Sequence, residues 1–169
     1  NVLNALLGIA ACRELNVSYE DMIKGLDNLE ATSMRLQFIN KDKFTIINDC
    51  YNASPDSMKA ALDVLENTKG KRKIAILGNM NELGNESEKA HKEVGEYATN
   101  KADLLISTGE EKENYKMGFK KDSVKLYNTK EDLIEDLRNV IKEGDAIIIK
   151  ASRGVKFEEI VKALENLDI

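Results

Sequence analysis

The residues whose types and spacing could perform chemistry are concentrated in Ile46–Met58, which reads IINDCYNASPDSM. The segment begins with β-branched apolar residues, which are typical of a buried strand, and becomes polar at Asn48 and Asp49. Ser54 and Pro55 then have the residue types of a helix N-cap and a first helical position. The segment therefore predicts a strand, a polar loop and a capped helix. In open α/β sheets, such loops bind ligands at the carboxyl ends of strands.

Asp49 is the residue of this segment for which a functional role is favoured. A carboxylate at the end of a strand faces the ligand cleft of an α/β sheet, and the alternative is that Asp49 merely ends its strand. Ser54 has two interpretations of equal weight, a helix cap and a ligand contact, and both can hold.

A second polar loop, Leu77–Gly84, follows the apolar run Ile74–Leu77 and reads LGNMNELG. Gly78 and Gly84 permit tight turns and a close approach of the backbone to a ligand. Glu82 is the acidic group of this loop. A ligand contact and a purely structural βα loop are equal alternatives for it.

A third polar group, KASRG at Lys150–Gly154, follows the apolar run Ala146–Ile149. Ser152 and Arg153 are predicted to lie at the carboxyl end of that strand, at the same cleft edge as the other loops. For Ser152, the start of a helix is an equal alternative.

From Phe44 onward, apolar strands alternate with amphipathic helices, which predicts an α/β fold with a Rossmann-like, doubly wound, mostly parallel sheet. A hairpin is predicted from Arg35–Ile39 and Phe44–Ile47, because a polar turn separates two strand-like runs. The later predicted strands are Ile74–Leu77, Leu104–Ser107, Val124–Tyr127 and Ala146–Ile149. The predicted helices are Pro55–Asn67, Ser87–Asn100, Glu111–Gly118, Lys130–Ile141 and Phe157–Leu167.

The start of the chain does not follow this alternation. Leucines and alanines at helical spacing predict a strongly buried helix over Val2–Leu15, and Ser18 has the residue type of a cap for a second helix. We therefore expect two parts, residues 1–32 as the helical tail of a preceding domain and residues 33–169 as one α/β domain. The absence of an initial Met leads us to expect a piece of a longer protein.

Composition excludes several classes of function. The formal net charge of the 169 residues is −5, so nucleic acid is not an expected partner, and no apolar run approaches the about 20 residues that span a bilayer. Cys12 and Cys50 have no CxxC spacing and predict reduced thiols of a cytoplasmic protein. His91 is the one histidine, so no metal site is expected, and an orienting or packing role is favoured over catalysis.

These motifs together resemble the Mur ligase family. NDCYNASPDSM resembles the family stretch DDxYNANPDSM, LGNMNELG resembles LGDMxELG, KASRG resembles KGSR, and the opening NVLNALLGIAA resembles (H)NxxNALAAIA. The chain departs from these patterns at Asn48, Ser54, Asn79 and Ala151, and Met34 replaces the Gly of a Gly-Arg pair. Asn79 lacks the negative charge of the family's Asp.

The resemblance implies the C-terminal domain of an ATP-dependent amide ligase, preceded by the last helices of the central ATP-binding domain. It points to the branch of the family that adds D-alanyl-D-alanine to UDP-N-acetylmuramoyl-tripeptide in peptidoglycan precursor synthesis. Two alternatives remain open. One is a Mur-type ligase with another substrate, such as glutamate, and the other is a non-catalytic ligand-binding α/β module.

The resemblance also implies roles for individual residues. The residues expected at the nucleotide are Asn1, Asn4, Arg35 and Asp49, of which Arg35 and Asp49 are also the expected catalytic residues. The residues expected at the dipeptide are Tyr51, Asn52, Ser54, Asn79, Glu82, Ser152 and Arg153. Arg35 and Asn4 have structural alternatives, as a surface arginine and a helix-packing amide.

ATP and Mg²⁺ are the implied cofactors of the full-length parent. This sequence has no GxxxxGK(S/T) motif to hold ATP phosphates, so we expect the chain alone to hold neither cofactor and to be inactive. Its implied partners are the two substrates and the N-terminal and central domains of the same parent chain.

Overall fold

The computed structural model describes residues 2–28 and 33–169. The chain divides into two compact units, residues 1–31 and 32–169. That residues 1–32 are the tail of an ATP-binding domain stays a prediction. In the part of the chain that the structure describes, no helix is both long and apolar enough to cross a membrane.

The first unit consists of two helices, α1 (Val2–Glu14) and α2 (Tyr19–Asp27). Ser18 caps α2, since its hydroxyl accepts the backbone N–H of Asp21. The prediction that α1 is strongly buried is wrong for this chain, because Leu3 and Leu7 are 76% and 70% exposed. A pair of short helices has too little surrounding chain to cover both apolar faces.

The second unit is built on a six-stranded sheet with the strand order β1-β2-β6-β3-β4-β5. The first two strands form the predicted antiparallel hairpin, and every other pairing is parallel. The strands are β1 (Gln37–Asn40), β2 (Thr45–Asn48), β3 (Arg72–Leu77), β4 (Leu104–Thr108), β5 (Val124–Tyr127) and β6 (Asp145–Lys150). The helices are α3 (Pro55–Asn67), α4 (Ser87–Ala98), α5 (Lys112–Gly118), α6 (Lys130–Val140) and α7 (Glu158–Glu165). The prediction of a doubly wound, mostly parallel α/β sheet is thereby confirmed.

Helices cover both faces of the sheet, which explains the uninterrupted apolar runs of its central strands. On β3, Ile74 and Ile76 pack into the cluster with α6 and α7, whereas Ala75 and Leu77 pack into the cluster with α3, α4 and α5. Successive residues of a strand point to opposite faces, so a strand covered on both sides is apolar at every position.

Among the element boundaries that differ from prediction by a few residues, two have identifiable reasons. Strand β1 begins at Gln37 and not at Arg35, because Met34 and Leu36 have φ angles of 61° and 48°, which interrupt extended backbone on either side of Arg35. Strand β6 begins one residue early, at Asp145. This charged residue is accommodated in the sheet because the guanidinium of Arg72 on β3 binds its carboxylate at 2.7 Å.

Candidate functional site

The strand register brings the three polar loops to one edge of the sheet. Asn48 of β2 pairs with Ile149 of β6, and Leu77 of β3 pairs with Lys150 of β6. The segments that follow β2, β6 and β3 therefore begin side by side at the carboxyl ends of parallel strands, where open α/β sheets bind ligands.

Asp49 lies at the base of this edge and is 8% exposed. Its Oδ1 accepts the backbone N–H of Leu36 at 3.0 Å, and its Oδ2 accepts a hydrogen bond from Lys150 Nζ at 2.6 Å. The Asp49 backbone N–H donates to the Ile149 carbonyl. Asp49 thus does more than end a strand, since its carboxylate joins β6 to the segment that leads into β1.

Lys150 is the partner that the sequence analysis did not single out. It is 3% exposed, and its ammonium donates to Asp49 Oδ2 and to the Asn52 carbonyl at 2.8 Å. A buried lysine requires a charged partner. The signal in the sequence was a lysine directly after the apolar run AIII, but its partner lies 101 residues away and follows only from the strand order.

Tyr51 lies between two arginines at the mouth of the site. The guanidinium carbon of Arg35 is 4.1 Å from the centre of the Tyr51 ring, and that of Arg153 is 5.3 Å from it. Both arginines are exposed, and the Tyr51 N–H is fixed by the Met34 carbonyl. The ring attracts both cations and holds them at one place, which gives this edge a positive charge suited to a phosphate or a carboxylate.

Ser152, on the loop after β6, joins all three loops. Its backbone N–H donates to the Asn79 carbonyl at 2.9 Å, and its hydroxyl accepts the N–H of Asn81 at 2.9 Å and donates to the Ala53 carbonyl at 3.5 Å. Ser152 precedes a 3₁₀ turn but makes no side-chain cap there, so the alternative role of a helix cap is not observed. Ser152 itself is buried.

The other residues predicted at the dipeptide differ in their accessibility. Asn52 and Glu82 are exposed on the first and second loops, and Glu82 has a left-handed backbone with φ 66°. Ser54 forms a reciprocal capping box with Ser57, which confirms its capping role and leaves a ligand contact open. Asn79 is half-buried, and its Oδ1 accepts the N–H of Glu111 at 3.3 Å.

His91 supports the second loop from beneath. Its Nε2 accepts the Met80 N–H at 2.8 Å, and its Nδ1 lies 2.7 Å from the Ser87 carbonyl, so the proton resides on Nδ1 and the ring is neutral. Burial lowers the pKa of His91 and keeps the ring uncharged. The favoured orienting role fits these contacts, since both ring nitrogens bind backbone groups.

Cys50 lies beside Asp49 but is not poised for chemistry. Burial, together with the nearby carboxylates of Glu158 and Asp49, raises the pKa of its thiol to about 12. The nucleophile in cysteine chemistry is the thiolate, which is scarcely populated at such a pKa near neutral pH.

The other two predicted nucleotide-binding residues, Asn1 and Asn4, precede the second unit in the sequence. Asn1 falls outside the described residues, and Asn4 is an exposed residue of α1 in the first unit. Across residues 2–28 and 33–169, no group of three or more His, Cys, Asp or Glu side chains could hold a metal ion.

Comparison with known proteins identifies the family. Residues 34–153 match the family described as "Mur ligase, glutamate ligase domain". The chain belongs to the Mur ligase family. The match spans the loops after β2 and β3 and extends to Arg153. The site assembled here is therefore part of a Mur ligase domain.

Similar proteins of this family carry a more specific name. The UDP-N-acetylmuramoyl-tripeptide–D-alanyl-D-alanine ligase of Bacillus subtilis is 43% identical to this chain over 97% of its length. The corresponding ligase of Escherichia coli is 34% identical over 98% of it. A crystal structure of MurF from Acinetobacter baumannii superposes with a TM-score of 0.87 at 30% identity, covering 99% of this chain. MurF from Thermotoga maritima in complex with ADP gives 0.80 at 28% identity over 97% of it. The Mur ligase chain spans 37% of the length of each of these four proteins.

Proposed function

We propose that this Mur ligase chain is the C-terminal part of a cytoplasmic MurF-type enzyme, which adds D-alanyl-D-alanine to UDP-N-acetylmuramoyl-tripeptide at the expense of ATP. The observation that carries the proposal is the convergence of the loops after β2, β3 and β6 at one sheet edge, held together by Lys150 and Ser152. The similarity to the UDP-N-acetylmuramoyl-tripeptide–D-alanyl-D-alanine ligases of Bacillus subtilis and Escherichia coli supports the choice of substrates.

The reaction joins a carboxylate to an amine. ATP transfers its γ-phosphoryl group to the tripeptide carboxylate, which releases ADP and leaves an acyl phosphate. The dipeptide amine then attacks the acyl carbon, phosphate departs and the amine loses a proton. ATP and Mg²⁺ belong to the parent enzyme, since this sequence has no P-loop motif.

Two residues of the chain suit contacts with the nucleotide. The exposed guanidinium of Arg35 can bind phosphate oxygens in a bidentate manner, and its stacking on Tyr51 orients it before a ligand arrives. Each carboxylate oxygen of Asp49 accepts one hydrogen bond within the chain, so each retains a lone pair that can accept a hydrogen bond from a ribose hydroxyl. Arg35 acts at the nucleotide only when the domains of the parent close, as in other enzymes that assemble their site on substrate binding.

The dipeptide is placed between the first and second loops. Residues 51–54 and 79–82 supply amide, hydroxyl and carboxylate groups, which suit the amine and amide of D-alanyl-D-alanine. Arg153 supplies the positive charge that the dipeptide carboxylate requires.

The first test is a titration of this chain with D-alanyl-D-alanine, followed by amide NMR shifts. Localised shifts at residues 52–54 and 79–82 are expected, with L-alanyl-L-alanine and D-glutamate as control ligands that leave these signals in place. Equal shifts with D-glutamate would favour the alternative ligase with a glutamate substrate.

The second test uses the full-length ligase. Asn52→Ala should raise the KM for the dipeptide, because it removes an exposed amide of the first loop. Asn100→Ala serves as the matched control, since Asn100 is also exposed but follows the end of α4. A dipeptide KM that Asn52→Ala leaves unchanged would refute the assignment of this loop.

A further inference from the structure

Lys150 carries a buried charge for which the proposed reaction has no direct use. It ends β6, a strand that begins with a second buried charge, Asp145. Asp145 pairs with Arg72 at the amino end of the strand, whereas Lys150 binds residues of the candidate site. The two ion pairs thus occupy opposite ends of one central strand, and only one of these two pairs reaches the loops.

We propose that Lys150 is a positioning residue of the ligase. Its ammonium locks the carboxylate of Asp49 and the loop 51–54 into one unit, so that nucleotide and dipeptide are held in a fixed mutual position. This inference rests on the proposed function, because it gives Lys150 a role in the binding of both substrates.

The contacts of Lys150 are directed at two different parts of the site. Its Nζ is 2.6 Å from Asp49 Oδ2, on the residue expected at the nucleotide, and 2.8 Å from the carbonyl of Asn52, on the loop expected at the dipeptide. Lys150 itself is 3% exposed, so a ligand in the cleft meets Asp49 and Asn52 before it meets the ammonium. Lys150 therefore acts through its neighbours.

The position of the Asp49 carboxylate depends on donors from two sides. The ammonium of Lys150 holds one oxygen, and the backbone N–H of Leu36 holds the other. Both bonds end on the carboxylate, but only Lys150 is a charged donor and its bond is the shorter, 2.6 Å against 3.0 Å, so Lys150 is the stronger restraint. Without it, the carboxylate can rotate away from Leu36, and the Asn52 carbonyl loses its donor in the same step.

The kinetic test uses Lys150→Met in the full-length ligase, because Met keeps an unbranched apolar side chain and removes the charge. The KM values for ATP and for D-alanyl-D-alanine should rise together, each by about fivefold or more. Arg72→Met is the matched control. It breaks the ion pair at the other end of β6, and it should lower the Tm without raising either KM.

A double-mutant cycle tests whether Lys150 acts through Asp49. Asp49→Asn combined with Lys150→Met should raise the KM for ATP no more than the larger single effect, since both variants remove the same contact. Fully additive effects, or a folded Lys150→Met enzyme with either KM unchanged, would overturn the proposal.

Hydrogen exchange in this chain tests, without any substrate, whether Lys150 restrains the Asp49 carboxylate. Exchange of the Leu36 amide should accelerate by about tenfold or more in Lys150→Met relative to Arg72→Met, because the Asp49 acceptor is released. Unchanged protection of the Leu36 amide would refute the proposal that Lys150 fixes the Asp49 carboxylate. Failure of the full-length ligase to use D-alanyl-D-alanine would instead refute the proposed function. The exchange rate of the Leu36 amide would still show whether Lys150 fixes the Asp49 carboxylate.

Discussion

Acidification should destabilise the second unit through His91. The ring is fully buried and neutral, and burial lowers its pKa below the ordinary value of 6.5. The unfolded chain takes up a proton at that ordinary value, whereas the folded chain resists it. Stability is therefore fully present above the unfolded pKa and falls as the pH drops below it, until the folded pKa is reached.

The size of the effect follows from the same linkage. Between pH 7.5 and 5.5, a group with an unfolded pKa of 6.5 that remains neutral in the folded state removes about 1.4 kcal/mol of unfolding free energy. The facing carboxylate of Glu111, 3.8 Å from Nδ1, opposes the loss and makes this figure an upper limit. In a chain of 169 residues, the corresponding fall in Tm is about 3–6 °C.

The assay is urea denaturation of the chain at both pH values, compared with His91→Gln. Glutamine can accept the Met80 N–H through its amide oxygen but does not titrate, so the variant should lose most of the pH dependence in this window. The sequence contains no other histidine. Equal changes in unfolding free energy for the two proteins would refute the reasoning.

Three further substitutions should each lower the unfolding free energy, as measured by urea denaturation at pH 7.5. Ser152→Ala leaves the Asn81 N–H without its acceptor and should cost about 1–3 kcal/mol; a cost below 0.5 kcal/mol would contradict the bridging role. Thr129→Ala removes the capping box of α6 and should cost about 1 kcal/mol, with less helix content by circular dichroism. Gly95→Ala should cost about 1–3 kcal/mol or more, because its methyl group would overlap the Tyr115 carbonyl; an unchanged Tm would show that α5 can yield.

Local patterns were sufficient to predict most strands of the sheet and the three loops, but not the strand order. The runs in β3, β4 and β6 are apolar at successive positions because helices cover both faces, so their presence could be read without the structure. The capping role of Ser54 could also be predicted from the sequence, because a capping box involves only residues three positions apart.

The remaining features depend on contacts between distant parts of the chain. The partnership of Lys150 with Asp49 follows from the placement of β6 beside β2, which no local pattern specifies. The break before β1 was missed because Met34 and Leu36 are not residue types that favour left-handed backbone. The burial predicted for α1 was wrong because helical periodicity identifies an apolar face but not what covers it.

The contact between α4 and α5 has a mechanical consequence for the second loop. Methyl groups at Gly95 and Gly118 would overlap the carbonyls of Tyr115 and Lys92, so these helices meet backbone against backbone. Tyr115, buried beneath this contact, donates its hydroxyl to the Gly78 carbonyl at 2.8 Å. A backbone contact has no rotamers to yield, unlike a layer of side chains. The start of the second loop is therefore attached to a rigid helix–helix contact. A ligand that presses on the loop should displace the residues near Glu82 and leave those near Gly78 in place.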